Sequence, residues 1–474
     1  MSSSILTPLI VACALFMENL DSTVIATSLP AIARDMNEDP IALKLALTSY
    51  LLSLAVFIPV SGWAADRYGA KNVFRAALVI FMAGSIACGF AVGLADFVLF
   101  RIIQGMGGAM MVPVGRLVVL RSVPRGEFIA ALSWFTIPAL IGPILGPPIG
   151  GFITTYAHWR WIFFINVPIG LLGLVLVTRY IGDIREENTP PLDRLGLLLL
   201  GLGLSGIVFG LAVLGQDLVP LWLSGGITLA GFAFCAIYAL HARRKTFPVL
   251  DLRLLAIPTF RASVIGGSIF RIGVGATPFL LPLLFQIGFG LSAFASGMLT
   301  FASAAGAMTM KFTAQPILKR YGFRTVLIVN GVLSSVFIAA YGFFTPATPH
   351  AFIIGLLLMG GFFRSLEFTS INAIAYADVP NSQMSQATSF VSAAQQVSLS
   401  IGVAGAALIL ETVRAGRGDI TIAVADFTPA FVIVAIISVF STVVFALLPR
   451  DAGAELSGRA VAEAEAVPAT TAAP

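Results

Sequence analysis

Charge is what this chain has least of. Only 11% of its 474 residues are Asp, Glu, Lys or Arg, against about 25% in average globular proteins. Histidine and cysteine are scarce too, with 3 of each. Cys13, Cys88 and Cys235 lie in apolar stretches at spacings that match no metal or redox motif, so they read as small core residues. His158, His241 and His350 do not cluster, which argues against a metal site. No glycine-rich phosphate loop of the Walker type occurs, which argues against transport driven by ATP. What fills the chain instead is apolar: 58% hydrophobic residues, with 37 Phe and 46 Gly. A soluble domain cannot hide that much apolar surface from water. The composition excludes a cytosolic enzyme, a secreted disulfide scaffold and a disordered chain. It leaves a polytopic helical membrane protein.

A helix needs about 20 apolar residues to cross the hydrocarbon core. Fourteen segments qualify: 8–31, 45–65, 73–92, 97–119, 128–154 and 159–177, then 195–214 and 221–240, then 262–285, 293–316, 326–343, 351–373, 388–410 and 427–448. The first starts near Leu6, is full-length and ends without a small-residue cleavage site, so no cleavable signal peptide is expected. The tail after Arg450, rich in Ala, Glu and Thr, reads as disordered. Nineteen of the 28 Lys and Arg fall in loops on the side of the N-terminus and five on the other. Arg101, Arg116, Arg271 and Arg364 stay inside spans. The positive-inside rule then puts both termini in the cytoplasm. It also accounts for the net charge of +5 without a nucleic-acid partner.

The chain repeats itself. Asp66-Arg67-Tyr68-Gly69-Ala70-Lys71 is echoed 253 residues later by Lys319-Arg320-Tyr321-Gly322-Phe323-Arg324. Val123-Pro124 is echoed by Val379-Pro380, 256 residues on. Two six-helix units, 1–181 and 261–449, therefore flank a central segment, 182–260, that carries two further helices. Parallel repeats of this kind bind substrate near the midplane between the halves.

Several segments carry functional signals. Leu20-Asp21-Ser22-Thr23-Val24-Ile25-Ala26-Thr27 puts a carboxylate inside the first span. Removal from water favours the neutral form of a carboxyl group, which suits a proton carrier. The competing reading is that Asp21 locks helix packing by hydrogen bonds. Glu18 shares its helical face. It offers a second proton site, an attraction for cations, or simply a group in a wet cavity. Gly62-Trp63-Ala64-Ala65-Asp66-Arg67-Tyr68-Gly69-Ala70-Lys71 combines a glycine for close helix approach, Gly62, with one for a tight turn, Gly69. Asp66, Arg67 and Lys71 can form a charge network that holds the cytoplasmic ends together in one state. Arg101-Ile102-Ile103-Gln104-Gly105-Met106-Gly107-Gly108 places a fixed cation in the fourth span. Snorkelling to the membrane face competes with a role as countercharge. Gly142-Pro143-Ile144-Leu145-Gly146-Pro147-Pro148-Ile149-Gly150-Gly151 bends the fifth span and lets a neighbour approach. Trp159-Arg160-Trp161-Ile162-Phe163-Phe164-Ile165-Asn166-Val167-Pro168 opens the sixth, its two Trp read as interfacial anchors. In the second half, Arg364 and Glu367 stand three residues apart. Either they neutralise one another or they face the cavity opposite Asp21.

These segments, in this order, resemble the drug:proton antiporters of the major facilitator superfamily with fourteen spans, the multidrug-efflux permeases. The resemblance covers nearly the whole chain. It departs from the family at Glu18, where a neutral residue is usual, and at Ala70, where a basic one is. It implies an all-α major facilitator fold of two six-helix bundles plus a central pair. It implies proton coupling through Asp21 and Arg101, beside which Glu18 stands as a candidate second proton site by position alone, and a conformational lock at Gly62, Asp66, Arg67, Gly69 and Lys71. An antiporter hinge would lie at Gly142, Pro143, Gly146, Pro147, Gly150 and Gly151. Gln104, Met106, Arg271, Arg364 and Glu367 are expected to line the substrate cavity. The expected function is proton-coupled export of amphipathic, cationic compounds across the bacterial inner membrane. Export of an endogenous metabolite is the alternative. No cofactor is implied; the partners are a small-molecule substrate, protons and the lipid bilayer, and a periplasmic adaptor is neither required nor excluded. A membrane enzyme would need a polar catalytic cluster at an interface, and a sensor a signalling domain; neither pattern is found.

Overall fold

The computed structural model describes residues 3–122, 128–182, 189, 191–214, 220–380, 383–418 and 421–454, with side chains except at 3–5, 120–122, 128–140 and 385. The first half comprises α1 (Ser3–Met36), α2 (Lys44–Tyr68), α3 (Ala70–Gly89), α4 (Leu94–Ser122), α5 (Phe128–Tyr156), α6 (Trp161–Phe164) and α7 (Asn166–Tyr180). Two helices follow, α8 (Arg194–Val213) and α9 (Leu221–Arg244). The second half comprises α10 (Pro258–Leu283), α11 (Ala293–Lys311), α12 (Ala314–Tyr341), α13 (His350–Ile374), α14 (Met384–Gly416), α15 (Val424–Val439) and α16 (Ser441–Ala446). Among the described residues, thirteen helical stretches are long and apolar enough to cross a membrane, with α6–α7 and α15–α16 each counting as one. Helix α5, 29 residues long, is the fourteenth.

The repeat is visible in the packing. Helix α1 lies on α5 as α10 lies on α14; α2 on α4 as α11 on α13; α3 on α4 as α12 on α13. It is also visible in the backbone. Gly69 joins α2 to α3 at φ +87°, and Gly322 kinks α12 at φ +73°. Only glycine takes that conformation without cost, so both copies of the loop use it at the same position. Val123 and Pro124, and the tail from 455, lie outside the described residues. The halves meet along two seams, α2 against α14 and α5 against α11. The central pair is not loosely appended: α8 packs on both α2 and α14, across one of those seams.

The glycine-rich stretch of α5 serves two neighbours. A Cβ at Gly142, Gly146 or Gly150 would strike Asn19, Thr23 or Thr27 of α1, three contacts with the same four-residue step on both helices. Gly151 instead meets the backbone of Ala293, and Gly297 meets that of Pro147, so the α5–α11 seam is backbone against backbone. Gly62 behaves differently from expectation: a Cβ there meets nothing within 4 Å. No neighbour approaches the terminal-side end of α2 closely at this point, so the close approach expected of Gly62 is absent in this conformation. The tryptophan pair also divides. Trp161 is 59% exposed, as an interfacial anchor should be, whereas Trp159 is 3% exposed and donates to Asp35. Gly146→Val should force α5 off α1, with an overpacking cost of about 1–3 kcal/mol; a lower midpoint of thermal unfolding in detergent checks it.

Candidate functional site

Four buried polar side chains meet in the first half. Arg101, on α4, donates from Nη1 to Asp21 Oδ2 and to Gln104 Oε1, both at 2.7 Å. Gln104 Nε2 donates to Asp21 Oδ1 at 2.9 Å, and Asn166 Nδ2 donates to the same oxygen at 2.7 Å. Asn166 also donates to Ser85 Oγ, at 2.9 Å. Arg101 is further held by Ala46, whose carbonyl accepts from Nε at 3.3 Å, and by the Tyr50 ring, 4.1 Å beneath the guanidinium. Asp21 is 3% exposed and Arg101 1%. The arginine therefore does not snorkel to the membrane face. A charge in this setting persists only when paired and hydrogen-bonded, and both conditions are met. Glu18, one turn nearer the N-terminus, is buried, and its Oε2 has no hydrogen-bond partner.

A cavity of about 270 Å³ lies between the halves, lined from α1, α5, α10, α11 and α13. Its walls include Thr23 and Thr27 of α1, Pro143 and Pro147 of α5, and Pro278 and Pro282 of α10. Successive residues on a helix turn by about 100°. Thr23 and Thr27 therefore face away from Asp21, so the cavity and the charge cluster occupy opposite sides of α1. The cavity reaches Lys311, exposed at the terminal-side end of α11. The other end is closed. There α10 ends in a π turn, Leu284–Gly288, and Gln286 donates to the Thr27 carbonyl at 2.8 Å. Phe294 N donates to Thr155 Oγ1 at 3.0 Å, and the Phe294 ring packs against Phe152 and Tyr156. Arg414 reaches Asp39 across the halves at 2.6 Å, and Lys44 lies 3.8 Å from Glu411.

Comparison with known proteins places this geometry. The family model described as Major Facilitator Superfamily matches residues 11–240 and 263–472. The chain belongs to the Major Facilitator Superfamily. It is thus a multi-pass membrane transporter. Relatives in Salmonella typhimurium and Salmonella enteritidis, each named "Putative multidrug resistance protein MdtD", are 35% identical over 456 residues, covering 93% of this chain and 94% of theirs. Among solved structures, a D-xylose–proton symporter matches with a TM-score of 0.68 at 16% identity, covering 95% of this chain and 99% of its own. A peptide transporter of the POT family matches at 0.66 and 16%, covering 94% and 96%. At such identities these two speak for the superfamily fold alone.

The structure distributes the candidate residues unevenly. Asp21 and Arg101 join, and Gln104, expected at the cavity, joins them instead. Arg364 lines the cavity, while Met106, Arg271 and Glu367 are not among its lining residues. Arg364 and Glu367 do not pair with one another. Arg364 donates to Ser303 Oγ of α11 at 3.2 Å, whereas Glu367 turns to α12 and accepts from Asn330 Nδ2 at 2.9 Å. Arg271 is buried, donates to Asn372 Oδ1 at 2.7 Å and lies over the Phe368 ring. Asn166 was read only as part of a helix-opening segment. Its signal was a lone amide in the apolar run Phe163-Phe164-Ile165-Asn166-Val167.

Removing one member of a buried ion pair strands the other, at a cost of about 3–5 kcal/mol. Asp21→Asn and Arg101→Gln should each lower the unfolding midpoint of the solubilised protein. The double variant should recover most of the loss, because the two effects are coupled.

Proposed function

We propose that the protein exports small amphipathic molecules across the cytoplasmic membrane in exchange for protons, by alternating access. The observation that carries this reading is the Asp21–Arg101 ion pair on the back of the helix whose front lines the cavity. Proton binding and cargo binding then act on the same rigid body, α1. The printed name of the MdtD relatives favours outward transport of drugs.

In this conformation the cavity opens toward the side of the termini, which the loop charges assign to the cytoplasm. Asp21 accepts here from Arg101, Gln104 and Asn166. Protonation removes the negative charge and leaves Arg101 with neutral acceptors only. That weakens the attachment of α1 to α4 and frees α1 to move with its cavity face. Glu18 is the second carboxyl on α1 available to carry a proton. When the halves rock, the far-end contacts Arg414–Asp39 and Gln286–Thr27 open. The loop bearing Asp66, Arg67, Gly69 and Lys71 then approaches the second half and seals the cytoplasmic end. Gly142, Gly146 and Gly150 keep α5 moving with α1, while Gly151 and Pro147 lie on the seam that must slide. A ligand only shifts such an equilibrium by its differential affinity for the two states, and the carboxylate of Asp21 supplies that difference for protons.

An imposed gradient of about one pH unit is worth about 1.4 kcal/mol per coupled proton, a tenfold accumulation. In proteoliposomes, Asp21→Asn should lose this gradient-driven accumulation and keep substrate exchange at matched pH. Gradient-driven export at the wild-type rate in that variant would overturn the reading.

A further inference from the structure

The charged groups on the cavity wall are of one sign. Among the described lining residues, Lys311 and Arg364 are ionisable cations and no carboxylate is present. The span of α5 whose side chains are not described, 128–140, contains no ionisable residue either. The carboxylates on the lining helices, Asp35 with Arg160 among them, lie off the wall. Asp21 is neutralised by Arg101 on the far side of α1, and Glu367 turns to Asn330 on α12. Glu18 is buried and absent from the wall. Arg271 adds a further positive charge to the core of the second half.

An unspent hydroxyl lies just behind the cavity wall. Thr277 of α10 lines the cavity and is 2% exposed, yet its Oγ1 has no hydrogen-bond partner. A threonine in a helix ordinarily satisfies itself on a carbonyl one turn back, as Thr300 does on Ser296. Arg364 holds one hydrogen bond, to Ser303, and Lys311 one, to Thr369. A guanidinium has five N–H donors and an ammonium three, so both have donors to spare. Opposite these donors the wall is apolar and stiff, formed by Pro143, Ile144, Pro147 and Leu281.

We propose that the cargo is an organic anion: a carboxylate, sulfonate or phosphate monoester on an apolar body, its head met by Arg364, Lys311 and Thr277. This rests on the transport reading above and reverses the expectation of a cationic compound. A cavity lined by cations would repel such a compound by the same field that draws an anion in. Arg364 fixes the head by hydrogen bonds as well as charge, while Lys311, at the open end, concentrates anions at the mouth.

The charge preference can be read without any gradient, so failure of proton coupling does not touch it. Cys13, Cys88 and Cys235 are replaced by Ala, and Thr300→Cys supplies a single thiol on the wall. Its reaction rates with a sulfonate-bearing and a trimethylammonium-bearing methanethiosulfonate are measured on the purified full-length chain, each relative to free cysteine. Fields in charged clefts change such rates by about 10- to 1,000-fold. The sulfonate reagent should therefore be favoured by about tenfold or more. Arg364→Gln with Lys311→Gln should abolish the preference, and Arg364→Lys should retain it, each in protein that elutes as a single folded species. Equal rates, or preference for the ammonium reagent, would overturn the proposal.

Discussion

The ion pair between Asp21 and Arg101 governs the rest of this structure. Neither charge can stay inside a membrane alone. Each is tolerated because the other, together with Gln104, Asn166, Tyr50 and the Ala46 carbonyl, fills its coordination. The pair draws α1, α2, α4 and α7 together at one point, and Ser85 of α3 completes the set through Asn166. The first half is thus organised around a polar knot in an otherwise apolar bundle. Its integrity depends on one carboxyl group, Asp21, which lies away from the cavity wall.

The second half has no such knot. Arg271, Arg364 and Glu367 are dispersed, each hydrogen-bonded to a neutral neighbour, Asn372, Ser303 and Asn330, rather than paired with an opposite charge. The internal repeat therefore preserved helix packing and the glycine turns while the chemistry diverged. One half carries the buried Asp21–Arg101 ion pair and the other carries the cations of the cavity wall. Both halves border the space between them, the first through α1 and α5 and the second through α10, α11 and α13.

Much of this was legible in the residues. Long apolar runs, loop charges and the doubled Tyr-Gly turn gave the spans and the two halves, because burial in lipid and glycine stereochemistry leave direct marks on sequence. Asp21 and Arg101 stood out because charge is so rare in these helices. The direction of a side chain around a helix was harder to read. Arg364 and Glu367 are spaced to pair, yet they sit on either side of a helix ridge, so each turns to a different neighbour. Gln104 is on the same span as residues expected at the cavity, but its face points to α1. Asn166 is uncharged, and its role exists only because α7 brings it against Asp21. Lys311 carries no mark of its place, since nothing local in the sequence distinguishes a cation at a helix end from one at a cavity mouth.

The placement of α8 has a mechanical result. It bridges α2 and α14 and so straps one seam, while among the described residues neither helix of the central pair packs on the opposite seam, α5 on α11. A bound book opens along the edge away from its spine. Two bundles tied on one side are left free to part on the other, where the glycine and proline backbone of α5 meets the backbone of α11.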